Sequence, residues 1–392
     1  MLSGVEREVS LRPESANCIE GDQGGHQVGS RPDTPIHYHV VMVSFGRRPC
    51  APSDEAAGLP EAGRTGTVAA PMVSFVIPVK NDAERLDRCL ASIRTVSHGH
   101  PIELIVVDNG SGDGSPETAR RHGAVVLDVP EARVSELRNR GAAMASADIL
   151  GFVDADHELG QGWVDAVVED MHDARVGAVG ARCDSPPNGT WVQHQYAALR
   201  GRTVGCADAE WMGAGNLAVR RSAFNALGGF DASLEACEDV DFCNRLRRSG
   251  WRLIADERLR NVHYGDPETL RRLFLSELWR GRDNVRVSLR GPLTLRAVPG
   301  VVIPVVDITC LAGAVVGFVL LPRGGGAMGA ICLGAVLLIP LLRVARMLRH
   351  FDFRPRAVPR AYAVAFTYEI ARALALVVRA RHHRTSLSRD SR

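Results

Sequence analysis

The sequence lacks the patterns that would assign it to several common classes of protein. Its nine cysteines are scattered and odd in number, and no two form a C-x-x-C pair. This argues against a disulfide framework or a zinc knuckle and favours a reducing compartment. No G-x-G-x-x-G or G-x-x-x-x-G-K-[ST] loop follows a predicted strand, so neither dinucleotide nor P-loop binding is supported. Because 47 basic residues face 45 acidic ones, no nucleic-acid partner is expected.

The first part of the chain offers no pattern typical of a folded core. Residues 1–70 are rich in glycine, proline, serine and charge, and their one short apolar run lies at 39–45. No charged segment leads into an apolar one, so no secretory signal is expected. We predict a disordered N-terminal extension over 1–70, with a translation start near Met72 as the alternative.

From Met72 the hydrophobic pattern alternates between buried strands and amphipathic helices. It predicts strands at 73–79, 102–107, 124–127 and 149–153, and helices at 82–93, 116–122, 134–145 and 163–171. Such alternation is typical of an α/β fold with a mostly parallel sheet and flanking helices. We therefore expect one catalytic domain over 71–268, with ligands beyond the carboxyl ends of the strands.

Two long apolar runs follow, at 298–321 and 327–342, and the first is interrupted by a single charge, Asp307. Their lengths and the tight turn between them predict a transmembrane hairpin over 298–342. Arginines stand before the first run and after the second, and twelve arginines lie between 343 and 392. The positive-inside rule then predicts a cytoplasmic-membrane protein whose catalytic domain faces the cytoplasm.

Two further segments are expected near the membrane. Residues 269–297 read as an amphipathic interfacial segment, or alternatively as a basic face packed on the domain. Within the basic C-terminal region 343–392, residues 358–378 are apolar but carry Glu369 and Arg372. A third span would carry the basic tail across the membrane, so we favour an interfacial or re-entrant helix there over a third membrane helix.

Carboxylates close several of the predicted strands. Asp108 ends the second strand and Asn81 and Asp82 follow the first, where such groups can accept hydrogen bonds from a base or ribose or can form ordinary turns. Asp154 and Asp156 end the strand at 149–153, and two residues apart they point the same way if the chain stays extended. A hard cation such as Mg²⁺ or Mn²⁺ would relieve their repulsion; a solvated strand end is the alternative.

The other acidic cluster, Glu238, Asp239 and Asp241, opens a predicted amphipathic helix. Acids stabilise a first helical turn through the helix dipole, but three in four residues exceed that need, and one can serve as a general base. His263, after a short strand at 252–255, becomes a metal ligand only if the fold brings it to Asp156.

In their order and spacing, these motifs resemble the family 2 glycosyltransferases with the GT-A fold. The resemblance covers 73–265 and rests on FVIPVKNDAERLDRCLASI, ELIVVDNGSGDGS, LRNRGAAMASADILGFVDADH and GAGNLAVRRSAFNALGGFDASLEACEDVDFCNRLRRSGWRLI. It implies a Rossmann-like, mostly parallel sheet and a divalent metal, Mn²⁺ or Mg²⁺. It also implies a nucleotide-sugar donor, UDP-linked by family habit, and a lipid-linked or cell-envelope glycan acceptor.

The resemblance further implies a role for each matching residue. Those expected to contact the nucleotide-sugar are Pro78, Val79, Asn81, Asp82, Asp108, Arg138, Asp154, Gly215 and Asn216. Those expected to hold the metal are Asp156, Asp154 and His263, Asp154 and Asp156 being the D-x-D motif. The catalytic base is expected from the acidic pair Glu238 and Asp239, with Asp239 preferred.

The implied reaction is a single inverting displacement without a covalent sugar intermediate. Two departures from the family pattern are Lys80 before Asn81 and His157-Glu158 after the D-x-D. The Q-x-x-R-W motif of processive synthases is absent after the acidic pair, where ELWRGR stands at 277–282. This favours transfer of a single sugar over polymerisation.

Three alternatives differ in their chemistry. A polyprenyl-phosphate glycosyltransferase would keep the fold and use a lipid phosphate as nucleophile. A non-catalytic nucleotide-sugar-binding membrane protein would be expected to have lost Asp156 or the acidic pair, which this chain retains. A nucleotidyltransferase would begin with a glycine-rich loop that ends in basic residues, and none follows the first strand.

Overall fold

The computed structural model describes residues 72–291, 298–348 and 357–378. The extension predicted over 1–70 and the basic tail beyond 378 lie outside the described residues. The strands are β1 (Val73–Val79), β2 (Ile102–Asp108), β3 (Val125–Asp128), β4 (Ile149–Val153), β5 (His157–Leu159), β6 (Val176–Gly180), β7 (Cys206–Asp208), β8 (Asn216–Arg220), β9 (Arg252–Asp256) and β10 (Asn261–His263).

The helices of the α/β part are α1 (Ala83–Val96), α2 (Ser115–Arg121), α3 (Val134–Met144), α4 (Trp163–Asp170), α5 (Trp191–Arg200), α6 (Arg221–Ala226), α7 (Glu238–Arg248), α8 (Leu270–Arg280) and α9 (Asn284–Arg290). Those of the C-terminal part are α10 (Val298–Val319), α11 (Gly326–Leu348) and α12 (Val358–Leu374). Every strand and helix predicted between 73 and 171 is present, with ends within three residues.

The main sheet has the order β3-β2-β1-β4-β8-β6-β9-β7. β1 pairs in parallel with β2 and β4, β2 with β3, and β6 with β9, whereas β8 and β7 run antiparallel to their neighbours. β5 and β10 form a separate antiparallel pair. The predicted fold class, a mostly parallel sheet with flanking helices followed by apolar C-terminal helices, is confirmed.

Helices cover both faces of the sheet and bury its apolar side chains. On one face α1 and α4 pack around Phe75 and Trp163, whose ring centroids are 5.3 Å apart. On the other, α3, α6 and α7 enclose a cluster that includes Phe152 and Phe242. Cys89 and Cys243 lie in these two cores as small buried side chains, whereas Cys206 is exposed. Burial on both faces explains why β1 and β4 are continuous apolar runs.

α10 and α11 are the two helices of the described residues that are long and apolar enough to cross a membrane, each with a mean hydropathy of 2.2. They form a hairpin in which small residues allow close approach. A Cβ atom added to Gly317 would lie 2.4 Å from the backbone nitrogen of Gly329. Such small-residue contacts are a common way for helices to pack in a membrane.

α12 packs against α8, α5, α10 and α11, and thus joins the α/β part to the hairpin. The fully buried Glu277 of α8 is central to this junction. Its carboxylate accepts hydrogen bonds from the Tyr196 hydroxyl (2.5 Å) and Arg280 (3.2 Å), and from Arg372 of α12 (2.7 Å). The apolar face of α8 is also covered by protein, because Leu273 packs in a buried cluster with residues of α5 and α12.

We expect Glu277→Ala to destabilise the protein strongly, because Arg280 and Arg372 would lose the buried carboxylate that neutralises both. Removing one partner from a buried ion pair costs about 3–5 kcal/mol. Thermal unfolding of the detergent-solubilised protein, followed by tryptophan fluorescence, measures the change.

The matched control is Glu268→Ala. Glu268 pairs with Arg272 at 2.8 Å, but both side chains are about half exposed, and exposed pairs contribute only about 0–1 kcal/mol. Equal unfolding midpoints for the two variants would contradict the role assigned to Glu277.

Candidate active site

The loops after β1 and β2 interlock at the carboxyl edge of the sheet. Asn81 has a φ of 51°, a left-handed conformation that asparagine tolerates better than most residues. Its backbone N–H donates to the Ser111 hydroxyl (2.9 Å), and its side-chain oxygen accepts from the Gly112 N–H (2.8 Å). The Ser111 N–H in turn donates to Asp108 Oδ2 (2.8 Å). These bonds hold the polar residues of both loops beside one another, as their positions at strand ends predicted.

The residues of these loops that were predicted to contact the nucleotide differ in which atoms remain able to bind it. Asp108 is buried, and its Oδ1 has no hydrogen-bond partner among the described residues, so an acceptor is left over at the strand end. Asp82 forms a two-pronged pair with Arg85, both distances being 2.8 Å. Burial raises the pKa of Asp82 despite this guanidinium. Pro78 and Val79 are buried within β1 and can reach a ligand only through the backbone.

Arg138 of α3 joins the two acidic motifs. Its guanidinium donates to Asp154 Oδ1 (2.6 Å) and to Glu238 Oε1 (2.7 Å), and the side chain is almost fully buried. Burial alone would lower the pKa of Arg138, but the two carboxylates outweigh it and raise that pKa. The cation is thus fixed between the D-x-D end of β4 and the start of α7.

Asp156 does meet His263, as a metal site required. His263 Nε2 lies 3.3 Å from Asp156 Oδ2, and its Nδ1 lies 2.8 Å from Oδ1 of the buried Asp266. Burial opposes charge on this imidazole, yet Asp266 and Asp156 raise the pKa of His263 to about 10. The donor atoms of Asp156, His157 and His263 lie within 4.8 Å of one another and can hold a divalent metal.

Two residues of this centre were not predicted from the sequence to contribute to a metal site. His157 stands out in the sequence only as a departure from the family pattern, although its position directly after the D-x-D motif could have indicated a role. Asp266, three residues after His263, carried no signal because its role depends on the turn that follows β10. Asp154, predicted as a metal ligand, is engaged by Arg138 and lies outside this three-residue cluster.

Gly215 and Asn216 form the wall behind the D-x-D motif. A Cβ atom on Gly215 would lie 2.7 Å from Asp154 Oδ2 and 2.8 Å from His157 Cε1, so only glycine fits there. Both ends of the buried Asn216 amide are engaged: Trp163 Nε1 donates to its oxygen (2.8 Å) and its nitrogen donates to the Leu259 carbonyl (2.7 Å). Asn216 therefore supports this wall from behind.

The acidic pair lies at the N-terminus of α7, where the helix dipole favours negative charge. Glu238 is buried and held by Arg138, whereas Asp239 accepts a 2.8 Å hydrogen bond from the Val240 N–H and pairs with no guanidinium of the described residues. Burial first, and the neighbouring charge of Glu238 second, raise the pKa of Asp239 to about 7. That value suits a group that exchanges protons near neutral pH.

Comparison with known proteins shows what the chain is similar to. Residues 74–228 match the family described as glycosyl transferase family 2. Over 240 residues the chain is 27% identical to glycosyltransferase AglE of Haloferax volcanii, covering 58% of this chain and 78% of that protein. It is 26% identical over 323 residues to succinoglycan biosynthesis protein ExoA of Rhizobium meliloti, covering 70% and 91%. A third relative, the N-acetylglucosaminyl-diphospho-decaprenol L-rhamnosyltransferase of Mycobacterium tuberculosis, is 25% identical over 273 residues, covering 54% and 87%.

Because Gly215 touches both acidic and histidine groups of this site, we expect Gly215→Ala to displace Asp154 and His157. Displaced supporting groups lower metal affinity by about 10- to 100-fold in comparable sites. Isothermal titration of the purified protein with Mn²⁺ measures the loss.

The control is Gly213→Ala in the same loop, where an added Cβ would meet only Asp239 Oδ2, at an ordinary 3.7 Å. It should bind Mn²⁺ within about threefold of the wild type, well inside the loss expected for Gly215→Ala. Wild-type affinity in both variants would show that the glycine is not required by the centre.

Proposed function

We propose that this chain, a glycosyltransferase of family 2, is an inverting enzyme that moves a single sugar from a UDP-sugar to an acceptor hydroxyl. The acceptor we infer is a lipid-linked or cell-envelope glycan, in keeping with a relative named for succinoglycan biosynthesis. The observation that carries the proposal is the joining of the D-x-D motif and the acidic pair by Arg138. One buried cation thereby holds the acidic pair beside the D-x-D motif, which supports a shared role for the two motifs.

On the donor side, Asp108 Oδ1 has no hydrogen-bond partner among the described residues and is suited to accept a hydrogen bond from an N–H of the nucleobase. Asn81 and Asp82 lie in the adjoining loop and would contact the base or ribose. Arg138, being always charged, would approach the diphosphate while it holds Asp154.

A divalent cation would be held by Asp156 and His263, while Asp154, which is held by Arg138, would face the donor. When bound, the cation would offset the negative charge that develops on the leaving nucleoside diphosphate. The chain's own contribution is to orient this centre: Asp266 holds the far nitrogen of His263, and Gly265 leaves room beside Asp156.

Asp239 is the general base of the proposed reaction. The acceptor oxygen bonds to the anomeric carbon as the bond from that carbon to the diphosphate oxygen breaks, and the hydroxyl proton passes to Asp239. Attack from the face opposite the leaving group inverts the anomeric centre. Glu238 cannot easily take this role, because its carboxylate is already bonded to Arg138.

We infer that α10 and α11 anchor the enzyme in the cytoplasmic membrane with the catalytic part on the cytoplasmic side. Arginines at both ends of the hairpin support this orientation. α12 supports an interfacial rather than a spanning position, because its Glu369 pairs with Arg343 and its Arg372 with Glu277.

The second candidate is transfer to a polyprenyl phosphate, in which a lipid phosphate would act as the nucleophile. The rhamnosyltransferase relative fits the first candidate instead, because the acceptor in its name already carries a sugar on diphospho-decaprenol. An ionised phosphate needs no base, whereas a hydroxyl does. Turnover of a panel of nucleotide sugars with Mn²⁺, with and without lipid acceptors, tests both candidates. If no donor is consumed under any of these conditions, the proposed activity is wrong.

Asp239→Asn should lower kcat for a hydroxyl acceptor by about 10²- to 10⁴-fold, because the amide cannot take the proton. Nucleotide binding, measured by calorimetry with UDP and Mn²⁺, should be unchanged. Glu235→Gln is the control, since the half-exposed Glu235 side chain pairs with Arg133 and Arg282 and takes no part in the proposed proton transfer. Full activity of Asp239→Asn toward a hydroxyl acceptor would eliminate Asp239 as the base.

Activity should rise with pH through about 7, because the raised pKa leaves Asp239 protonated and inactive below that value. The charged groups that face it are Glu238, which raises its pKa, and Arg138, which lowers it; the thiols of Cys237 and Cys243 lie nearby. A kcat/KM profile from pH 5.5 to 9 should show this acidic limb near 7. A flat profile over that range is the contrary result.

A further inference from the structure

We propose that His157 is a third protein ligand of the divalent metal, so that the site combines two imidazoles with one carboxylate and selects Mn²⁺ over Mg²⁺. The inference rests on the metal site of the proposed function and adds to it a ligand and a metal preference. His157 stands beside the D-x-D motif, where the family resemblance assigned no ligand.

The position of His157 satisfies the distances that shared coordination requires. Its Nε2 lies 3.7 Å from Asp156 Oδ1, and its ring centroid lies 4.4 Å from that of His263. With bonds of about 2.1 Å, one cation can bridge donor atoms up to about 4.2 Å apart. Asp156 therefore lies within bridging distance of both imidazoles, 3.3 Å on one side and 3.7 Å on the other.

Its far nitrogen is held as in a metal-binding imidazole. His157 is 3% exposed, and its Nδ1 lies 2.6 Å from the side-chain amide of Asn261. The Asn261 Oδ1 is buried without a hydrogen-bond partner in the described part of the chain. If the Asn261 side-chain amide is rotated by 180°, its Oδ1 accepts a hydrogen bond from His157 Nδ1–H and is no longer unpaired. The lone pair of His157 Nε2 then faces Asp156.

His263 has the equivalent arrangement. Its Nδ1 is engaged by Asp266, itself anchored by Arg200, and its Nε2 faces Asp156. An oxygen behind each Nδ1 fixes the tautomer in which Nε2 can bind a metal. A histidine with a purely structural role does not require its Nε2 to face a carboxylate, yet both rings are oriented in this way toward Asp156.

Two glycines keep the space beside these donors free of side chains. A Cβ on Gly215 would lie 2.9 Å from His157 Nε2, and one on Gly265 would lie 2.9 Å from His263 Nε2 and still closer to Asp156. Even the methyl group of an alanine at either position would therefore occupy the space into which the donor atoms point. Glycine at both walls is consistent with a space reserved for an ion and its remaining ligands.

The ligand set decides the metal. Mg²⁺ prefers an all-oxygen shell and gives up its waters reluctantly, whereas imidazole nitrogen suits first-row transition ions. Each imidazole in the shell therefore shifts the preference away from Mg²⁺. With two of them, the centre should bind Mn²⁺ in clear preference to Mg²⁺.

The test is metal titration of the full-length protein in detergent, with Mn²⁺ and Mg²⁺ as probes. His157→Gln should weaken Mn²⁺ binding by about tenfold or more and reduce the preference for Mn²⁺. His157→Asp should raise Mg²⁺ affinity relative to Mn²⁺, a change that a purely structural role would not produce. His194→Gln, whose histidine hydrogen-bonds Ser185 outside the cluster, should behave as wild type.

A second measurement needs no variant. Electron spin echo modulation of the Mn²⁺-loaded wild type should reveal two coordinated imidazole nitrogens. One nitrogen alone, or a folded His157→Gln protein with wild-type Mn²⁺ affinity, overturns the inference and leaves the proposed function standing. A wild type that binds no metal and consumes donor in EDTA overturns both this inference and the metal part of the proposed function.

Discussion

The site depends first on one buried guanidinium. Arg138 binds Asp154 at the end of β4 and Glu238 at the start of α7, two residues that are 84 positions apart in the chain and lie on different elements. Without this cation the two acidic motifs would repel each other across a buried space, where charge is costly. Because Asp239 follows Glu238 directly, the same contact fixes the position of the proposed base relative to Asp154. The geometry of the proposed reaction therefore rests on a residue that takes no proton itself.

A second set of buried charges links the proposed metal centre to the apolar C-terminal helices. His263 is held by Asp266, Asp266 by Arg200 of α5, and the Arg200 guanidinium lies over the Tyr196 ring, 4.4 Å from its centroid. The Tyr196 hydroxyl bonds to Glu277, which also binds Arg372 of α12. This chain of contacts explains why the buried sides of α5 and α8 include the polar side chains of Tyr196 and Glu277 among apolar ones. It gives the catalytic part a fixed attachment to the hairpin rather than a flexible tether.

The sequence predicted the sheet where its signals were local. β1, β2 and β4 are apolar runs bounded by turns, and the D-x-D follows directly on β4, so both strands and motif could be read along the chain. β6 and β8 were missed because VGAVG and NLAVR are short and contain few residues with high strand propensity. The pairing of Arg138 with Glu238 and the support of His263 by Asp266 depend on tertiary contacts, which no periodicity reveals. Resemblance supplied roles for Arg138 and His263, but His157 and Asp266 required the structure.

The distribution of cations among the carboxylates separates their roles. Asp82 is neutralised by Arg85, Asp154 and Glu238 share Arg138, and Asp156 faces two histidines. Asp239 is the acid of this group that pairs with neither an arginine nor a histidine in the described residues. Burial, together with the charge of Glu238, raises its pKa. A carboxylate fixed to a guanidinium is a poor base because the cation stabilises its ionised form. A carboxylate that faces imidazoles is better suited to a metal. The acid left without a cation is the one that can accept a proton from a hydroxyl near neutral pH, and this assignment follows from the charge pattern independently of any relative.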